Sequence, residues 1–363
     1  MNIYVFDKTL ERLGVISSYD SLIWKRKSNE LGSFELHCDL NENTKFLLKE
    51  DNIICKSDNL SECAYIKDIY IDRDDNDKIK ATGYFVLGYI GQRIIWDTVN
   101  INDTVENAIY KLVDNNCINT KESRVIPLLK LADIKGYEEE ISFQVSYKNL
   151  LEKIESICLE NNLNIRLLTD LVNKQHTFEV YKSIDRTVDQ VENDICIFSK
   201  AFGNVLKQSY ILESSNFKNT ALIGGEGEGS KRIFTTIGDD ISGLDRHELF
   251  VDADDIRKES EKGTISDDEY INQLNQRGLE KLSECQKIST FTSEVNVIDS
   301  NLVYRKDFDL GDIVTCKNKD WDVVINTKIT EIEEVYEDDT LEVRVTFGNK
   351  IPTILDKIRS VIN

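Results

Sequence analysis

Three histidines, His37, His176 and His247, come first, because a neutral imidazole can hold a metal or move a proton near neutral pH. They stand far apart in sequence, and none belongs to an H-E-x-x-H pattern, which sets two zinc ligands and a general base on one helix. A zinc peptidase of that kind is excluded. His37 sits in a run with Phe34, Leu36 and Cys38 whose period places it on a strand surface. Serine chemistry finds no G-x-S-x-G elbow. Ser215-Asn216-Phe217-Lys218 fits S-x-x-K and Ser57-Asp58-Asn59 fits S-D-N, but the order is reversed from that of the penicillin-recognising enzymes and no K-T-G follows.

Asp72, Asp74 and Asn76 imitate the start of a calcium loop. Its sixth position needs glycine and holds Asp77, and its twelfth needs a bidentate glutamate and holds Gly83, so a solvated hairpin tip is the better reading. Gly224, Gly225, Gly227 and Gly229 suggest a phosphate cradle, yet Glu226 and Glu228 would repel a phosphate and Ser230 replaces the third glycine. With 66 acidic residues, carboxylate pairs at glycosidase spacing arise by accident, and this enzymatic reading alone stays open. Eight cysteines (Cys38, Cys55, Cys63, Cys117, Cys158, Cys196, Cys285, Cys316) show no C-x-x-C pair and are expected as reduced, small hydrophobes. The expectation is no catalytic residue, no metal site and no cofactor.

The elements that would position any site change character along the chain. In Ser33 to Leu40 apolar and polar residues alternate as in a half-buried strand. Ala64 to Ile71 and Lys78 to Gly83 flank an Asp/Asn-rich connection and read as a hairpin. Near residue 102 the period becomes helical: Val105, Ala108, Ile109, Leu112 and Val113 share one face, with Asp103 or Thr104 as N-cap. A second helix is expected after Ser146, carrying Tyr147, Leu150, Leu151, Ile154, Ile157 and Cys158, and ending at Asn161-Asn162. The glycine cluster marks a loop or tight bend. A polar helix over about 266–287 bears a thin stripe of Ile271, Leu274, Gly278, Leu282 and Cys285. Leu341 to Phe347 alternates as a strand. The layout is α+β, mainly β: a β unit over 1–98, an α+β unit over 99–189, and a β unit over 190–363 with a helical insertion at about 226–287. So polar a helix buries little by itself, so the insertion is expected to add modestly to stability. Ile271, Leu274 and Leu282 are then candidates for contacts between subunits.

The net charge of -21 disfavours a specific nucleic-acid ligand, because phosphates are held by lysine and arginine. There is no apolar run of membrane-spanning length and no signal-peptide pattern at the start, so a protein made in the cytosol is expected.

The stretch Leu22-Ile23-Trp24-Lys25-Arg26-Lys27-Ser28-Asn29-Glu30-Leu31-Gly32-Ser33-Phe34-Glu35-Leu36 resembles the opening of baseplate hub, or tail-associated, proteins of phages, prophages and contractile bacteriocins of Gram-positive bacteria. The resemblance continues at Gly83 to Trp96, Ala221 to Arg232, Ser242 to Arg246, Glu248 to Ala253 and Asp309-Leu310-Gly311-Asp312-Ile313-Val314. It implies two small β-barrel, tail-tube-like domains joined by an α+β domain. It also implies a structural protein without enzymatic activity, whose homotrimer makes a pseudo-sixfold ring at the end of the tail tube. The implied partners are further copies of itself, the tube protein, a spike or tail-tip protein and other baseplate proteins, with the tape-measure protein as a further candidate. The chain ends at Asn363 soon after its last strand, so no C-terminal peptidase extension is expected. A receptor- or glycan-binding tail protein is the alternative; Trp24, Trp96 and Trp321 sit in strand-like apolar contexts rather than on an evident aromatic platform.

Overall fold

The computed structural model describes residues 1–73, 77–260, 263–296, 300–338 and 340–348. It is α+β and mainly β. Contacts gather the chain into two units, one of residues 1–88, 164–212 and 288–363, the other of 89–163 and 213–287.

The first unit begins with seven strands: β1 (Ile3–Phe6), β2 (Arg12–Ile16), β3 (Ser21–Lys27), β4 (Ser33–Asp39), β5 (Ile53–Lys56), β6 (Asn59–Arg73) and β7 (Asp77–Phe85). The alternation seen in the sequence becomes burial. In β3 and β4 every second residue points inward, and Leu22 faces Leu36 while Trp24 faces Phe34 across the ladder. Gly83, opposite Phe34, must be glycine, because a Cβ there would collide with the Tyr65 carbonyl oxygen and lie 2.7 Å from the Phe34 ring. The β6–β7 hairpin forms as expected from its sequence, while Asp74 and Asn76 lie outside the described residues. Helix α1 (Glu42–Leu47) carries a reciprocal cap, Thr44 N–H donating to Asn41 Oδ1 and Asn41 N–H to Thr44 Oγ1, and buries Leu47 and Leu48 in the lobe's core.

Six further strands build a second lobe in the same unit: Ile197–Ser199, Val205–Glu213, Ile288–Val295, Ile313–Asn318, Val323–Glu337 and Thr340–Gly348. Its core is aromatic. Phe198 meets Phe308 edge to face at 5.0 Å, and Phe291 and Phe347 complete the cluster. The long strand Val323–Glu337 joins the lobes. Its first half pairs with Ile313–Asn318, and its second half lies between Thr340–Gly348 and β3. The register slips between Ile329 and Glu331, and Thr330 Oγ1 stabilises the slip by donating to the Gly348 carbonyl at 2.7 Å. All thirteen strands therefore share one sheet. Among the described residues its order is an open path from Val205–Glu213 to β2, so the pairing contains no closed barrel.

The first lobe is nevertheless rolled. β5 and Val323–Glu337 are five places apart along the path, about 24 Å on a flat sheet at ~4.8 Å per strand. Yet the Lys56 ammonium on β5 touches the Glu334 carboxylate. Only a sheet curled around its core brings them together.

The second unit holds helices α2 (Val105–Val113), α3 (Leu150–Glu160) and α4 (Asp267–Ser283) with three small sheets among its described residues. Thr104 caps α2, and the expected apolar face is its buried face. Glu106 on α2 is fully buried, its carboxylate receiving the backbone N–H groups of Lys135, Gly136 and Tyr137. Helix α3 begins later than expected: Asn149 is its cap, while Tyr147 is exposed at a φ of 55° and stands outside the helix. Helix α4 packs on the strand Thr220–Gly224, the strand Glu140–Val145 and α3. Its Tyr270, Leu274 and Leu282 join Ala221, Ile223 and Val251 in one apolar cluster. The expectation that this segment adds little to stability is corrected, because its thin stripe is long enough to complete a core.

Candidate functional site

The densest polar arrangement of the first unit lies where β3 meets Val323–Glu337. Inward positions supply Arg26 from β3, Lys56 from the end of β5, Glu62 from β6 and Glu334 from the long strand. A turn supplies Tyr304, Arg305 and Asp309. That turn is built by Asp307, whose carboxylate accepts the Val303 N–H at 2.7 Å while its own N–H returns to the Val303 carbonyl at 2.8 Å. Arg305 takes a left-handed φ of 67°, which aims its guanidinium at the seam.

The contacts form a chain. Arg26 Nε donates to Glu62 Oε1 at 2.7 Å, and its Nη1 reaches both the Tyr304 hydroxyl (2.9 Å) and Asp309 Oδ1 (2.5 Å). Glu334 Oε1 accepts from Tyr304 Oη at 2.7 Å and Arg305 Nη2 at 2.8 Å. Its Oε2 accepts from Tyr336 Oη at 2.7 Å and from Lys56. Three cations, Arg26, Lys56 and Arg305, face Glu62, Asp309 and Glu334, and the exposed Asp58 lies 3.8 Å from Lys56, so every cation has a carboxylate partner. Burial alone would raise Glu334, but Lys56 and Arg305 override it and hold the carboxyl down at about 2. Burial pulls Lys56 below the ordinary lysine range, with Glu334 opposing. Burial and then the Glu334 charge push both the Tyr336 and Tyr304 phenols up.

A second cluster adjoins this one. Asp312 accepts from Arg186 Nε at 2.9 Å and from the Asp309 N–H at 3.0 Å. Gly311 turns between them at a φ of 91°, which glycine tolerates, and packs on Asn164, whose Oδ1 accepts from Ser28 Oγ at 2.6 Å. Arg26 and Asp309, far apart in sequence, thus meet, joining the block that starts at Leu22 to the block that starts at Asp309. Every hydrogen-bonding side chain here is engaged by its neighbours. The arrangement fastens strands; it holds no free nucleophile or base.

The other chemistry-bearing residues are dispersed. His37 pairs with Glu35 at 2.7 Å on the strand surface, His176 is buried against Thr169, and His247 is exposed beside the Phe217 ring. Burial lowers His176 to about 4. Ser57 Oγ accepts the Asn2 N–H, and Ser215 Oγ donates to Glu213. Glu160 and Glu280 form a carboxylate pair with divergent acidities, Glu160 raised to about 7 by burial and Glu280 lowered, against its burial, by Lys153. Ser156, Gln276, Lys153 and Arg277 bind their oxygens, so the pair joins α3 to α4. Among the described residues no three His, Cys, Asp or Glu side chains converge to hold a metal. No helix among them is long and apolar enough to cross a membrane.

The glycine block is tied together by internal hydrogen bonds. Arg232 spans it, donating to the Gly224 and Gly225 carbonyls, and Tyr270 Oη accepts the Glu226 N–H at 2.7 Å. Gly225 leaves room for Tyr270 and Leu274, which a Cβ would strike. Of the candidate contact residues, Leu274 and Leu282 are buried in their own unit and Ile271 is half-buried at its rim. Trp24 is fully buried, whereas Trp96 and Trp321 are about half exposed. Trp321 borders an open depression of about 470 Å³ with Gln208, Ser209 and Tyr210. Sequence reading passed over Lys56, Glu62, Tyr304, Arg305 and Glu334. The available signal was a charge at an inward position of an alternating strand.

The family described as Siphovirus ReqiPepy6 Gp37-like protein matches residues 2–349. No curated protein matches the chain. Among solved structures, prophage tail protein gp18 from Listeria monocytogenes EGD-e is similar at a TM-score of 0.58 and 13% identity, covering 100% of this chain and 98% of that one. The 43 kDa tail protein of prophage MuSo2 from Shewanella oneidensis is similar at 0.59 and 11%, covering 96% and 98%. The tail protein from Neisseria meningitidis MC58 is similar at 0.55 and 10%, covering 96% of each. At these identities the likeness shows a shared fold.

Proposed function

Because the chain belongs to the Siphovirus ReqiPepy6 Gp37-like protein family and is a phage tail protein, we propose that it is the baseplate hub, a structural subunit that ends the tail tube as a homotrimer. The observation that carries the reading is the pair of β lobes in one unit, each with its own apolar core and both on one ladder. Three chains with two such lobes present six, which suits a sixfold tube, and a closed ring follows from head-to-tail contact with the right rotation. The partners are the tube protein on one side and a spike or tail-tip protein on the other. The role is structural, without catalysis: the paired charges of the seam resist shear between the lobes, and the acidic balance of the chain offers phosphates no grip.

Reconstruction of the tail tip without imposed symmetry tests this. Three copies at the level where the tube ends are expected. Six copies, or one, overturn the trimer. A chain absent from the tube end but retained on cell-wall glycan would support receptor or glycan binding instead.

A further inference from the structure

Two of the buried cysteines stand opposite each other beside the ionic seam. Cys55 on β5 and Cys63 on β6 are direct partners in the antiparallel register. Both are fully buried and free; the Cys63 thiol donates to the Leu60 carbonyl at 3.6 Å, and the adjoining Cys63 thiol and then burial push the Cys55 thiol up. Their neighbours on either side are members of the seam: Lys56 follows Cys55, and Glu62 precedes Cys63. The tight turn between them, with its register slip after Cys55, is what delivers those two charges to Glu334 and Arg26.

We propose that Cys55 and Cys63 are a cross-strand thiol pair that closes to a disulfide on oxidation and staples the turn carrying Lys56 and Glu62. The geometry decides in its favour. Directly opposed residues in an antiparallel pair have Cα atoms about 4.5 or about 5.5 Å apart, depending on the hydrogen-bonding pattern. Disulfides span roughly 4.4 to 6.8 Å, so either pattern fits without backbone movement. Opposed side chains also leave the sheet on the same face.

The oxidant is a small disulfide such as oxidised glutathione. One cysteine thiolate attacks it, forming a mixed disulfide and releasing one glutathione thiol. The second cysteine displaces the other glutathione. In sum two protein thiols and one oxidised glutathione give one protein disulfide and two glutathione thiols, with two electrons and two protons passing to glutathione. Burial makes the step depend on opening of the hairpin, so closure is slow and the bond, once formed, is slow to be reduced. In a reducing compartment the pair stays as thiols.

The test uses the reduced full chain incubated with graded oxidised glutathione a few degrees below its melting temperature. Thiols are then counted after unfolding, and the unreduced protein is mapped by mass spectrometry. The count is expected to fall from eight to six, with one peptide joining Cys55 to Cys63. Eight remaining thiols, a stable glutathione adduct at either residue, or a bridge elsewhere, such as Cys196 with Cys316, overturns the proposal. Amide exchange over residues 56–62 is expected to slow in the oxidised protein, and unchanged exchange would overturn the stapling. Neither readout depends on how the chain assembles.

Discussion

Glu334 decides how the seam behaves, because it alone joins Lys56, Arg305, Tyr304 and Tyr336. Glu334→Gln removes the charge and leaves Lys56 and Arg305 short of a partner, so destabilisation of about 3–5 kcal/mol is expected in urea unfolding. The pH dependence has a definite sign. The carboxyl falls from its ordinary value of 4.5 to about 2 on folding, so its contribution is full above about 4.5 and disappears as pH falls toward 2. That contribution is on the order of 3 kcal/mol. The variant's stability should fall less steeply below about pH 4.5 than the parent's, since Asp309 and Glu280 are also held down and still titrate; a parallel fall in both would assign the acid sensitivity to those other groups. Glu334 is two residues from the apolar Ile332 and two from Tyr336, which turns it inward once the segment is a strand, but the strand itself does not announce itself in the sequence. Its partners were not legible, because Lys56 is 278 positions away and only the rolled sheet joins them.

Alternating strands such as β4 and Thr340–Gly348 and the amphipathic face of α2 could be read directly from residue order. The Val323–Glu337 strand could not, since its glutamates hide the alternation. It is a strand because Glu331 and Glu333 lie opposite Lys27 and Lys25, and Lys25 and Arg344 neutralise Glu333 across the ladder. Helix α4 misled in the other direction, reading as too polar to be core. Its Gly278 gives a sharp test. Alanine would improve helix propensity by about 1 kcal/mol. Its Cβ, however, would lie 2.7 Å from Ile237 and 2.8 Å from Ile223, and overpacking costs typically 1–3 kcal/mol. Gly278→Ala is therefore expected to lower the melting temperature. A rise would mean that the helix sits loosely on the strand Thr220–Gly224 and that its burial contributes less than the cluster implies.

At the scale of the whole molecule, each unit is assembled from segments that residue order separates, a grouping no periodicity can announce. What residue order does carry is charge, and charge bears on the proposed trimer. Three chains at -21 give 3 × -21 = -63, and bringing them together costs repulsion unless the contact faces are complementary. Screening sets the size of that cost. The Debye length is about 30 Å at 0.01 M salt and about 3 Å at 1 M, so the repulsion acts across whole subunits in the first case and only at contact in the second. Salt also strengthens apolar contact, which adds in the same direction when the salt is a sulfate. The isolated chain is therefore expected to sediment as a monomer at low ionic strength and to shift toward trimer as salt rises, with sulfate more effective than chloride. Sedimentation velocity over a salt series reads this directly. Dissociation with rising salt would reverse the inference: the subunits would then be held by opposed charges across the contact, and the acidic excess would lie on faces that no neighbour covers.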